Sequence, residues 1–333
     1  MLLFLILALP ARAASPPGST EVDLFTQGDP EKDTEILAEA RTTPAPSGAL
    51  VPAQGSIPAE VLDAARSAHL LPLAERMKAV SEPLLGQPYM ADPLGEGSGM
   101  DADPLARYDA FDCLTLVEEV LALSLAGDPV HATPIRLGLR YAGDEHAYAT
   151  RRHFMELQWL PAALENQWLR ETTAEYGVVA SYHREVTPAL WANWGRRSLF
   201  ALTDEQLPTG EMRLDYLPLE AAIEAVDRIR PGSIVMTVRE DRPWVPIWIT
   251  HLGFTVPAET PTLRHASRMK SAQVSRDHSL SWYLEHLRTY KNWKAAGIAI
   301  FEPVEFGPRL SLLPAAPVGK GNPGPEDRRE PSD

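Results

Sequence analysis

The sequence predicts an α+β protein, and two observations carry that prediction. Apolar residues keep helical spacing over 61–80 and again over 114–123. From Gly232 onward the chain instead runs in short stretches rich in β-branched residues, separated by turn signals. Helices first and an antiparallel meander after is the α+β order. A third observation sets the edges of the folded part. The 31 prolines crowd toward the two ends of the 333-residue chain.

In chain order, Leu2 to Leu9 is an unbroken apolar run followed by Pro10 and the small-x-small sequence Ala11-Arg12-Ala13. That reads as an export signal over residues 1–14, too short to span a bilayer, so no membrane span is expected in the mature protein. Residues 15–55 form an acidic, proline-rich arm, with Glu21, Asp23, Asp29, Glu31, Asp33, Glu35 and Glu39 against Lys32. Ser56 with Pro58 marks a helix start, and Val61, Leu62, Ala65, Leu70, Leu73, Met77 and Val80 carry the helix on, broken at Pro72. Gly86-Gln87-Pro88-Tyr89 turns the chain into a glycine- and aspartate-rich loop over 92–103. A second helix starts at Asp112 or Cys113 and stops at Gly127-Asp128-Pro129. An aromatic-rich insert over about 128–230 follows, ending in a helix over 219–229. Strands are expected at 233–238, 247–256, 263–267 and 297–301, and a polar tail at 314–333. The working domain is residues 56–313.

Charge and cysteine content exclude several functions. With 31 basic and 45 acidic side chains the net charge is −14, which argues against a nucleic-acid binder. A single cysteine excludes an internal disulfide framework and any CxxC metal or redox site.

That cysteine is the first candidate for chemistry. Cys113 opens a predicted helix, where unpaired N–H groups and the helix dipole favour thiolate and lower the thiol pKa toward neutrality. Asp112 can cap the same helix. A buried, inert cysteine fits the position equally well. His251, in Ile249-Thr250-His251-Leu252-Gly253-Phe254, and His265, in Leu263-Arg264-His265-Ala266-Ser267, lie on successive predicted strands. Paired antiparallel, those strands would set the imidazoles side by side, one toward the thiol and one orienting its partner.

The ordered motifs Gly86-Gln87-Pro88-Tyr89, Asp112-Cys113, His251-Leu252-Gly253 and His265-Ala266-Ser267 resemble those of the NlpC-type cell-wall peptidases, with a circularly permuted papain-like fold. The context Phe111-Asp112-Cys113-Leu114-Thr115-Leu116-Val117-Glu118, with Arg151-Arg152-His153-Phe154 and Trp159, is similar to the N-acetylmuramoyl-L-alanine amidase-like branch. The departures from compact members are Leu114 after the cysteine, Met90-Ala91 after Tyr89, and the long insert. The resemblance implies Cys113 as nucleophile, His251 as base and His265 as orienter. Tyr89, Asp112, Arg151, Arg152, His153 and Trp159 are the candidate substrate contacts, with no metal and no cofactor; for Arg151, Arg152, His153 and Trp159 a solvated basic turn beside a core aromatic is the alternative. It implies an enzyme cutting the muramoyl–alanine amide of peptidoglycan fragments through a thioester; with the export signal, the expectation is a monomeric, periplasmic protein. A D-glutamyl–diamino acid endopeptidase and an inactive wall-binding module are the alternatives. A zinc site would need His153, His251 and His265 to converge.

Overall fold

Pro72 divides the first apolar run as the sequence predicts. In the computed structural model, which describes residues 57–126, 129–269 and 273–305, helix α1 is Ala59–Ala68 and α2 is Leu73–Ser81. Pro58 and Pro72 occupy their N-cap positions. The expected export segment, acidic arm, Ser56 cap, Gly127-Asp128 stop and polar tail lie outside the described residues.

Helix α3, Cys113–Leu125, is buried along its whole length. A helix enclosed on all sides belongs at the centre of a domain, and the two acids within it therefore need partners. Helix α4, Ala132–Arg140, supplies them: Arg140 lies 2.9 Å from Glu118, and Arg136 pairs with Glu119. A π-helical turn, Met155–Trp159, leads into α5, Leu160–Glu165. Strands β1, Leu169–Glu171, and β2, Ala180–Val186, follow, then α6, Pro188–Asn193, and β3, Gly210–Pro218. The remainder is α7, Leu219–Ala225; β4, Ile234–Arg239; β5, Ile249–Val256; β6, Thr262–Ala266; β7, Ser275–Ser279; α8, Leu280–Leu287; and β8, Ala295–Pro303.

The strands form an antiparallel sheet in the order β2-β3-β8-β4-β5-β6-β7, with β1 also paired to β8. Alternation assigns its faces. On β4, Ile234, Met236 and Val238 join the core with α3, whereas Val235 packs with Ile298, Ile300, α7 and α8. Among the described residues no helix is long and apolar enough to cross a membrane.

The sheet is larger than predicted. β2 and β3 lie within the expected insert, and β3 pairs with β8 at Leu217↔Ile298, so the insert is part of the sheet. β3 carries period-two alternation, with Met212 and Leu214 buried and Glu211 and Arg213 exposed. The predicted helix over 219–229 ends at Ala225 and continues as a 3-10 turn, Val226–Arg228.

Candidate active site

Asp112 fixes where α3 begins. Its Oδ1 accepts the Thr115 N–H at 2.7 Å, and Thr115 Oγ1 accepts the Asp112 N–H at 3.0 Å, a closed capping box. Asp112 is therefore a wholly buried cap, not the expected substrate contact. The box places Cys113 at the first helical position, with no exposed surface. Here the expected thiol pKa is reversed. Burial, then the Asp112 carboxylate, push the thiol up. A backbone hydrogen bond from Leu252 and the positive charge of Arg268 act the other way and do not offset them. Cys113 rests as a neutral thiol. The Leu252 bond also ties the start of α3 to the strand that carries His251.

The two motif histidines meet as their strands predict. β5 and β6 pair at Phe254↔Arg264, and His251 Nε2 lies 2.6 Å from His265 Nδ1, the rings 4.9 Å apart and near perpendicular. Gly253 explains the glycine of the His-Leu-Gly motif. A Cβ there would lie 2.8 Å from His265 Cβ and 2.7 Å from the Arg264 carbonyl. Tyr283, from α8, closes over both rings and hydrogen-bonds Thr237 at 2.7 Å. Burial, then Arg268, lowers His251 to about 3, although the residue as a whole is only partly buried. Burial holds His265 well below the ordinary imidazole value. Both rings are neutral at pH 7.

A third imidazole joins them. His278 Nδ1 lies 2.8 Å from His265 Nε2. No sequence motif singles out His278, and its strand, Ser-Arg-Asp-His-Ser, lacks the apolar alternation that identifies strands.

Tyr89 stands beside the cysteine as expected. Its N–H bonds the Gln273 carbonyl at 2.8 Å, and its segment bridges to Phe111, just before the cap. Burial raises its phenol well above the usual value; Cys113 and Asp112 add to that, and Arg268 opposes it. The Arg268 guanidinium lies 5.7 Å from the Tyr89 ring centroid. Arg268 is a half-buried cation felt by Tyr89, Cys113 and His251, and sequence reasoning missed it.

Of the other candidate substrate contacts, Arg151, His153 and Trp159 are buried in the scaffold and Arg152 is partly buried. Arg151 is fully buried and held by Glu96, by Asp101 at 2.9 Å and by Asp92 at 3.5 Å. Arg152 donates to the Gly138 and Leu139 carbonyls at the end of α4. His153 is buried with Nε2 2.6 Å from the Tyr148 carbonyl, and Trp159 donates to Glu118 at 2.9 Å. His153 packs with Tyr148, Phe154 and Phe200, while His251 packs with His265 and Tyr283, so the three histidines of the zinc alternative do not converge. Two surface cavities of about 390 Å³ are lined by Leu85–Gly86 with Val274–Asp277, and by Leu160, Leu164, Arg213 and Phe301 among others. Neither is lined by Cys113, His251 or His265. The chemistry of the histidine cluster outweighs cavity size in locating the site.

Residues 79–290 match the model of the N-acetylmuramoyl-L-alanine amidase-like family. Among solved structures, a Legionella pneumophila protein of the DUF1460 family is similar at 22% identity, with 73% of this chain and 93% of that one covered and a TM-score of 0.64. An N-acetylmuramoyl-L-alanine amidase from Bacteroides uniformis is similar at 19% identity, covering 73% and 98%, TM-score 0.53. A Bacteroides fragilis protein provisionally called a xylanase is similar at 20% identity, covering 66% and 96%, TM-score 0.52. At these identities the likeness is one of fold. No curated protein matches the chain.

Proposed function

From the premise that this chain belongs to the N-acetylmuramoyl-L-alanine amidase-like family, we propose that it is a cysteine amidase cutting the bond between the muramoyl lactyl group and L-alanine in peptidoglycan fragments. The observation that carries this reading is the imidazole pair His251–His265, with His251 on the strand whose Leu252 backbone bonds the Cys113 sulfur. We read the fold as the papain-like arrangement in its permuted NlpC form. Export to the periplasm and action as a monomer on soluble fragments complete the proposal.

The tautomers follow from hydrogen-bond logic. If His251 Nε2–H donates to His265 Nδ1, the lone pair on His251 Nδ1 remains as the base. As the sulfur attacks the amide carbonyl, the thiol proton passes to His251 Nδ1, and His265 stabilises the imidazolium. We assign the Cys113 N–H and the Tyr89 hydroxyl as the donors to the oxyanion. Collapse sends the proton from Nδ1 to the leaving alanine amine and leaves a thioester. Water, deprotonated by His251, then releases the muramic acid and restores the thiol. Arg268 supplies positive charge for a carboxylate of the peptide stem, in a chain whose net charge is otherwise strongly negative. The cycle needs no metal or organic cofactor.

The test is mass spectrometry of products from N-acetylmuramoyl-L-Ala-D-Glu and from L-Ala-D-Glu-diaminopimelate, each beside Cys113→Ala. Free N-acetylmuramic acid, absent with the variant, is the expected result. Release of diaminopimelate alone would replace the amidase reading by the endopeptidase.

A further inference from the structure

The proposed reaction uses His251 and His265 and gives no task to the third ring in the line. His265 is fully buried, and His251 and His278 on either side of it are each partly buried, so the middle ring is the most enclosed of the three. The links are 2.6 Å from His251 Nε2 to His265 Nδ1 and 2.8 Å from His265 Nε2 to His278 Nδ1. The His278 ring is held by stacking. The Trp282 indole lies 4.6 Å from His278 and 5.0 Å from His286, close to parallel with each.

A contact between two imidazole nitrogens carries one proton. Three rings in line therefore have two self-consistent states. In the first, every ring holds its proton on Nε2, and His251 keeps a lone pair on Nδ1. In the second, every ring holds it on Nδ1, and His251 has no lone pair left for the thiol. A protonated His278 carries hydrogen on both nitrogens. It can only donate to His265 Nε2, which enforces the second state.

We propose that His278 is a positioning residue of this site, holding His265 and through it His251 in the tautomer that accepts the Cys113 proton, and that protonation of His278 withdraws that base. The inference rests on the thiol mechanism above. Besides His265 of β6, the groups facing His278 are Arg276 and Asp277 of its own strand and His286 of α8 beside Trp282. Burial, Arg276 and His286 lower its pKa, and Asp277, itself paired with Arg264, raises it. The ring is therefore neutral at pH 7 and titrates below the ordinary value of about 6.5.

The experiment compares the full chain with His278→Gln and His278→Phe in two readouts. One is kcat/KM on N-acetylmuramoyl-L-Ala-D-Glu across the pH range; the other is ¹⁵N-edited spectra of the histidine rings without substrate. Glutamine can accept from His265 Nε2–H but cannot titrate. It should keep the rate at pH 7.5 within about threefold and move the acid limb to lower pH. Phenylalanine cannot accept, and its rate should fall about tenfold or more at every pH. The spectra should show His265 protonated on Nε2 at pH 7.5, converting on acidification in the parent and not in His278→Gln. One acid limb shared by all three proteins, or a His265 tautomer indifferent to residue 278, would overturn the proposal. The spectra need no turnover, so an absence of amidase activity leaves the relay decided separately.

Discussion

Cys113 has the helix start that favours a thiolate, yet it is fully buried beside the Asp112 carboxylate, and those two neighbours dominate its pKa. With His251 lowered to about 3, the resting pair is thiol and neutral imidazole, not a preformed ion pair. Two outcomes follow at this scale. Iodoacetamide should label Cys113 slowly at pH 6 and faster as the pH rises past 8; rapid labelling at pH 6, followed by peptide mapping, would show the burial argument to be wrong. The acid limb of kcat/KM should lie below about 6.5, because a neutral His251 is the active form. Among variants, His265→Asn, whose amide oxygen can still accept from His251, should retain activity within about tenfold, and His265→Ala should lose about a hundredfold. Equal loss in both would mean that His265 does more than orient.

The elements that carry chemistry were legible where local signals agreed. The cap residue, the cysteine and the apolar run marked α3 to within a residue, and β-branched runs marked β4, β5, β6 and β8. β7 was not legible, because a polar edge strand lacks the burial that imprints alternation, and His278 went with it. The partners of Arg151, Arg152, His153 and Trp159 were not legible for a related reason. Residue type shows a capacity for hydrogen bonding but not which carboxylate or carbonyl the fold brings to it. The Arg151 partners come from the distant 92–101 loop. Gly253 supplies the prediction at this scale. Gly253→Ala forces a methyl against the Arg264 carbonyl and His265 Cβ, so the melting temperature should fall and kcat/KM should fall by about tenfold or more in the protein that remains folded. Full activity in that variant would mean that the imidazole pair tolerates displacement.

Across the whole molecule, buried titratable groups set an opposed pair of pH effects. His153, fully buried and lowered to about 3, binds fewer protons folded than unfolded between there and about 6.5. Its contribution to stability is lost as pH falls through that window, and His265 acts in the same direction. Asp92 and Glu156, raised by burial to about 7, bind more protons folded between about 4 and 7, so their effect weakens the fold as pH rises. The two sets oppose each other from about pH 4 to 6.5, and below that only the histidine loss remains. Calorimetry should find a melting temperature that changes little between pH 5 and 7 and falls steeply below pH 4. Glu156→Gln, which keeps an acceptor for the Trp248 and Ile249 N–H groups, should raise it at pH 8 relative to pH 5. An even decline from pH 8 to pH 4 would show that these buried groups do not govern the profile.

The most direct measurement is intact-protein mass spectrometry during turnover of N-acetylmuramoyl-L-Ala-D-Glu, with peptide mapping. Thiol catalysis predicts a transient N-acetylmuramoyl adduct on the Cys113 peptide together with free N-acetylmuramic acid, and Cys113→Ala should retain less than about a thousandth of the rate. Cleavage of that amide by Cys113→Ala at an undiminished rate would contradict a nucleophilic role for Cys113.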